Sequence, residues 1–272
     1  MQKKIKALKH LGQNFLQSPA IANKIVSLLG DIANKNVLEI GPGMGALTSH
    51  LISSEADLTC FEVDSRAIEY LNEKFADTSN LTIIQTDIRN TKVNNYLSCE
   101  QQKLSVIGNI PYNITNDVLF WLLDNSDYID RAVLTIQKEV AKRYTAKENT
   151  KEYGITTLAL KLFGNSKICF HIPAGAFFPV PSVISSVLQI DFDSELYGGV
   201  NKLELIKFIR ASFSMRRKIL SNSLHRYFVE HNIDIVKLSQ TLSHNNKPFL
   251  KCRAEQLTLE EYILFYNFLF TI

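Results

Sequence analysis

Val37-Leu38-Glu39-Ile40-Gly41-Pro42-Gly43-Met44-Gly45 is an apolar run that ends in three alternate glycines. It predicts a buried strand turning sharply into a helix, the place where α/β sheets receive nucleotide-like ligands. Glycine at 41, 43 and 45 lets the backbone approach a ligand and leaves the amides at the helix start free. Ala46 completes the looser form G-x-G-x-x-A, which serves both dinucleotide dehydrogenases and enzymes that bind a methyl donor.

Strand-like runs at 58–63, 81–85, 104–108 and 131–137 accompany 36–40, with helical patterns between most of them, such as 65–75 and 115–123. Ser18-Pro19 reads as an N-cap with proline at the first helical position, opening a helix that runs to 28 or 29. This alternation predicts a mainly parallel sheet covered on both faces. After a helical stretch at 153–163, segments 167–172 and 183–192 flank a proline-rich loop and should pair antiparallel at the sheet edge. Beyond Tyr197-Gly198-Gly199 the pattern is helical: 203–213, 216–228, and a last helix after Thr258, where Thr258 and Glu261 fit a capping box. The expected architecture is a Rossmann-like α/β domain over 1–197 and a small all-helical domain over 198–272.

With 272 residues, 46% of them apolar, the chain can build a sizeable core. Lys3, Lys4, Lys6 and Lys9 precede no apolar stretch, so neither a signal peptide nor a membrane span is expected, and the default location is the cytoplasm. Cys60, Cys99, Cys169 and Cys252 stand apart from one another and from histidines at ligand spacing, which argues for a reduced compartment and no metal. Both ends are basic and the middle is acidic: residues 1–10 hold four lysines and no acid, and 193–272 hold eleven Lys or Arg against eight acids. Such ends suit contact with phosphates, although a solubilising tail has the same composition.

The strand ends carry the chemistry. Glu62 falls about twenty residues after the first glycine, where a carboxylate accepts from both ribose hydroxyls. Asp87 ends the third strand, placed to take an adenine amine with Ile88 over the ring. A strand-end acid can equally be a plain helix cap. Asn109-Ile110-Pro111-Tyr112 follows the fourth strand and offers a carboxamide, a carbonyl before a rigid proline, and an aromatic face. An exocyclic amine is a poor nucleophile because its lone pair is delocalised. Two acceptors, the Asn109 side-chain oxygen and the Ile110 carbonyl, would draw its hydrogens and aim the lone pair at a sulfonium methyl, while Tyr112 stacks on the base. Positioning of this kind supplies up to ~7 kcal/mol without a strong general base. Hydride transfer asks for a grouped acid or base that the six histidines do not provide. Phe177 is the expected clamp on the second face of the base, with Phe178 plugging the core.

Together with Leu11-Gly12-Gln13-Asn14-Phe15-Leu16, Gln137 to Arg143, Phe177 to Pro181, Arg216-Arg217-Lys218 and Arg253-Ala254-Glu255, these motifs resemble the ribosomal RNA adenine N6,N6-dimethyltransferases, the kasugamycin-sensitivity family, over nearly the whole chain. The resemblance implies S-adenosyl-L-methionine as cofactor, contacted by Asn14, Leu16, Gly41, Glu62, Asp87 and Asn109. It implies as substrate two adjacent adenosines in the loop of the 3′-terminal hairpin of small-subunit rRNA, each dimethylated, and as partner the immature 30S particle, met by a monomer. Loop bases can be splayed and stacked in a way duplex bases cannot. Lys138, Lys142, Arg143 and the Arg216-Arg217-Lys218 cluster are candidate phosphate contacts, the latter equally able to knit the two domains together. Ser182 and Ile184 depart from the basic and acidic residues common there in the family, and Met44 replaces a frequent leucine. The rivals are the macrolide-resistance large-subunit rRNA methyltransferases, a non-catalytic RNA-binding assembly factor, and a nicotinamide oxidoreductase.

Overall fold

Asn36–Ile40 forms β1, and all five of its residues are buried, Asn36 and Glu39 included, as suits the centre of a sheet covered on both faces. In this computed structural model, which describes residues 7–93, 103–234, 238, 243–244 and 247–271, β1 is flanked by β2 (Asp57–Glu62) and β4 (Leu104–Asn109). Both pairings are parallel. With β3 (Leu81–Gln85), β5 (Ile129–Gln137), β6 (Gly164–Ile172) and β7 (Ser185–Phe192), the sheet has the order β3-β2-β1-β4-β5-β7-β6. β7 inserts antiparallel between β5 and β6, so β6 is the edge. Lys3, Lys4, Lys6 and Cys99 lie outside the described residues.

Helices fill the crossovers. α1 (Pro19–Val26) is capped by Ser18, whose side chain accepts from the Ile21 amide. It is shorter than its pattern, because Ser27–Leu29 tightens into a 3₁₀ turn. α2 (Thr48–Ile52) follows the glycine turn, and α3 (Ser65–Lys74) is capped by Asp64. α4 (Thr115–Asp124) follows Tyr112–Ile114, and α5 (Lys138–Tyr144) leaves the end of β5. Ile25, Leu51, Val37, Leu58, Ile107 and Val133 share one core cluster with Leu16 and Phe177.

The chain separates into two compact units, one drawn from residues up to 141 with 164–194, the other from 142–163 with 195–272. The stretch 142–163, which includes α6 (Ile155–Phe163), groups with the C-terminal residues instead of the sheet. In that second unit Phe208 of α7 (Lys202–Ser212) packs edge-on against Tyr227, Tyr262 and Phe265. The capping box at the last helix, α10 (Leu259–Thr271), closes both ways: Glu261 N–H donates to Thr258 Oγ1 at 3.2 Å and Thr258 N–H to Glu261 Oε2 at 2.9 Å. Besides helices, the unit has a two-residue ladder of Ser243–His244 with Lys247–Pro248.

The single helix expected over 216–228 is a pair, α8 (Leu220–Ser223) and α9 (His225–Glu230). Ile219 is extended and bridges to Arg253, and the Leu220 amide donates to Cys252, so the backbone before 220 pairs with a distant strand-like segment. Arg216, Arg217 and Lys218 therefore sit on a turn. Arg216 donates to the Thr150 carbonyl at 3.2 Å and faces Glu255 at 3.8 Å, all within the second unit.

Candidate active site

At the carboxyl ends of β1 to β4, where open α/β sheets bind ligands, the first unit holds a cavity of about 260 Å³. Its wall includes Asn14, Phe15 and Leu16, the glycine turn, Glu62, Asp87 with Ile88, and Asn109 to Tyr112. Residues separated by up to about a hundred positions are thus brought to one place.

The glycine turn gives close approach and not free amides. Gly41, Gly43 and Gly45 all have positive φ. Their N–H groups are already donated, to the Phe61 carbonyl, to Glu62 Oε2 and to the Pro42 carbonyl. A Cβ on Gly41 would meet nothing within 4 Å, so the space before it is open to a ligand. A Cβ on Gly43 would lie 2.9 Å from the Phe15 ring, so the N-terminal segment closes over the turn only because glycine stands there.

Glu62 is 6% exposed and accepts three backbone amides: Gly43 on Oε2 at 3.0 Å, and Val63 and Asp64 on Oε1 at 2.9 and 3.0 Å. A carboxylate has about four accepting positions, so Oε2 keeps room for one further donor and not for two. Burial raises its pKa, opposed by those amides. Asp87 caps the Ile88–Asn90 turn through the Arg89 amide and holds the Arg89 guanidinium at 2.6 Å, which keeps its carboxyl below the ordinary value. The pair is partly exposed and contributes little, so a ligand amine can compete for it.

Asn109 Nδ2 donates to the Asn14 carbonyl at 2.7 Å. That bond orients the carboxamide and leaves Oδ1 as the accepting atom. The Ile110 amide is held by the Thr135 carbonyl at 3.0 Å, and the Pro111 carbonyl accepts from Ile114. Tyr112 is half-buried, and its hydroxyl shares a 2.9 Å hydrogen bond with Ser185 Oγ, which sets the ring at the cavity wall.

Phe177 does not line this cavity. It is 2% exposed within the core, whereas Phe178 is 60% exposed, the reverse of the expected assignment. The cause is register: 15–16 and 177–178 form a short antiparallel ladder with Leu16 opposite Phe177 and Phe15 opposite Phe178, which turns Phe177 inward beside Leu16.

Gln13, Phe15 and Glu39 also line the cavity, in places where no strand-end acid or amide marks them. Gln13 donates to Asp64 Oδ2 at 2.9 Å and accepts from the Leu8 amide, tying the N-terminal segment to the end of β2. Glu39 was legible as a lone acid inside an apolar strand. It is 1% exposed, accepts from Thr48 Oγ1 at 2.6 Å and faces Cys60 Sγ at 3.6 Å, and burial pushes its pKa up to about 7. The folded protein then keeps a proton that the unfolded chain releases above about 4.5, so the stability Glu39 contributes falls as pH rises from about 4.5 to about 7. The span corresponds to about 3 kcal/mol. Glu39→Gln should flatten that part of the profile, seen as a narrowing gap between variant and wild type in urea midpoints between pH 8 and pH 5. Parallel profiles would refute it.

The family described as ribosomal RNA adenine dimethylase matches residues 4–264. The chain belongs to that family. It is 35% identical to the ribosomal RNA small subunit methyltransferase A of Mycoplasma mobile over 95% of this chain and 97% of the relative, and 36% identical to that of Cytophaga hutchinsonii over 98% of each. The fold matches a dimethyladenosine transferase from Plasmodium falciparum, with TM-score 0.76 at 24% identity over 93% of this chain and 97% of the other. It also matches the 23S rRNA methyltransferase ErmE, with TM-score 0.68 at 22% identity over 94% and 99%. The chemistry is S-adenosylmethionine-dependent methylation of rRNA adenine.

Among the described residues no group of three His, Cys, Asp or Glu is placed to hold a metal, and no helix is long and apolar enough to cross a membrane.

Proposed function

We propose that this enzyme dimethylates N6 of two adjacent adenosines in the 3′-terminal hairpin loop of small-subunit rRNA, acting as a cytoplasmic monomer on the immature 30S particle. The observation that carries the reading is the Asn109 carboxamide, pinned by Asn14 so that its oxygen is the accepting atom beside Tyr112. The curated relatives named above, both small subunit methyltransferases by name, support the choice of subunit.

The cavity suits a cationic methyl donor better than a dinucleotide. A pyrophosphate asks for free amides at the glycine turn, and the three glycine N–H groups are already used inside the protein. The Glu62 carboxylate lines the same wall and suits a cation better than a pyrophosphate, while the charge of Asp87 is matched by Arg89. When bound, S-adenosylmethionine supplies an electrophilic methyl on a sulfonium. Gly41 would allow its close approach, Glu62 Oε2 would accept one ribose hydroxyl, and Asp87 and Ile88 would hold the adenine. Asn14 and Leu16 would close the site from the N-terminal segment. Next to Asn14, Asn109 Oδ1 and the Ile110 carbonyl would accept the two hydrogens of the unmethylated target amine and the one left after the first transfer, with Pro111 stiffening the backbone and Tyr112 stacking on the base. Held so, the amine would present its lone pair to that methyl, and the nitrogen's surplus proton would leave to water.

The second unit would dock on the particle. Arg217 and Lys218 on its turn are the candidate phosphate contacts, because Arg216 is engaged with Thr150 and Glu255.

The test is to map methylated adenosines in rRNA from cells lacking this protein. Two adjacent small-subunit adenosines should lose their methyls and regain them on complementation. An unchanged small-subunit pattern, or a change in large-subunit rRNA alone, would overturn the assignment. S-adenosylmethionine should also raise the melting temperature where NAD does not.

A further inference from the structure

The loop between β6 and β7 carries exposed apolar side chains that the methyl-transfer site does not use: Phe178 at 60%, Val180 at 64%, Val183 at 38% and Ile184 at 45% exposure. We propose that this stretch is a platform for an unpaired nucleobase next to the target adenine, with Phe178 as its stacking face. The inference rests on the rRNA substrate proposed above.

The pleat supplies the first argument. Residues directly opposite each other in a ladder project to the same side, so Phe178 shares a side with Phe15, and Phe177 with Leu16. Phe15 and Leu16 both line the cavity, so the ladder runs along its rim. Phe177 is packed into the core, whereas Phe178 is exposed and outside the cavity wall, which assigns it a neighbour of the target base and not the target itself. Continuity supplies the second argument. At the far end of the loop the Ile184 carbonyl accepts from the Lys138 amide at 2.9 Å, and Ser185 holds the Tyr112 hydroxyl. Both ends of the apolar stretch are thus anchored beside groups of the acceptor site.

Chemistry selects the occupant. From 173 to 184 the loop has no charged side chain, and Ser182 is its only hydroxyl. Such a surface offers nothing to a phosphate and much to the flat face of a base, for which stacking on an aromatic is the sequence-tolerant mode of binding. Lys138 at its border supplies the cation that the adjoining phosphate needs. An exposed apolar patch of this kind calls for a partner, and a loop RNA already delivered to the cavity brings one.

The full-length enzyme tests this with unmethylated small-subunit particles and with a single-stranded RNA oligonucleotide containing 2-aminopurine, whose fluorescence falls on stacking. Phe178→Ala should raise KM for the particles about tenfold and weaken the oligonucleotide about as much, with kcat and S-adenosylmethionine affinity changed far less. Phe178→Tyr should restore both within about twofold. KM and oligonucleotide affinity within twofold of wild type in the alanine variant would overturn the proposal. So would a tyrosine variant as defective as alanine, which marks a packing role, or a wild-type dimer that Phe178→Ala dissociates, which marks self-association. If the wild type leaves the particles unmethylated, the substrate reading fails by itself, and the oligonucleotide measurement still decides the platform.

Discussion

Asn109→Ala should lower the rate of methyl transfer by about 100- to 1,000-fold, the cost of deleting one preorganised hydrogen-bonding group aimed at a reacting centre. The carboxamide does two things at once. Its nitrogen donates to the Asn14 carbonyl, so its oxygen cannot swing away, and that oxygen is the atom available to polarise the target amine. Alanine removes both, and leaves the Ile110 carbonyl as the one remaining acceptor to orient the amine. Single-turnover methylation with saturating cofactor reads the loss directly. Asn109→Asp separates the two roles: it keeps acceptor oxygens but sets a carboxylate against the Asn14 carbonyl, so it should be impaired through misplacement, with a smaller defect than alanine. S-adenosylmethionine should still raise the melting temperature of both variants. Wild-type single-turnover rates in the alanine variant would sink the amine-alignment mechanism.

The parts of this fold that were legible in the sequence are those fixed by local chemistry. The run 36–40 reads as a central strand because Val37, Leu38 and Ile40 lead straight into the glycine turn, and all five residues are buried. Ser18 with Pro19, and Thr258 with Glu261, announce helix starts because their side chains bond amides only three residues away. What could not be read is set by distant partners. Whether Phe177 or Phe178 turns inward depends on the phase of a ladder with residues 15–16, and shifting that phase by one residue exchanges the two. The break before Leu220 depends on Ile219 and Leu220 pairing with 252–253. At the site itself, the residue types that carry chemistry stood at recognisable strand ends. How many hydrogen bonds each had left to give was invisible, because Glu62 and the glycine amides satisfy one another through the fold.

That internal use makes Glu62 the second sensitive position. Glu62→Ala should weaken S-adenosylmethionine binding by about 10- to 100-fold, from losing a charge-assisted hydrogen bond to a ribose hydroxyl. The carboxylate also holds the Gly43 amide at 3.0 Å, and with it the turn under the cofactor, while anchoring the amides of Val63 and Asp64. Deleting it leaves three donors to find other partners, so the variant should also unfold at lower urea, with part of the binding loss arising from a loosened turn. Glu62→Gln tells these contributions apart. Its single side-chain oxygen can serve either the Gly43 amide or the Val63 and Asp64 amides, but its NH₂ group faces whichever donors remain. Glutamine should therefore recover little of the stability and little of the affinity, where a residue acting only through bulk would recover both. Calorimetric titration with S-adenosylmethionine measures the affinity, and a dissociation constant within twofold of wild type in the alanine variant would remove Glu62 from the cofactor site.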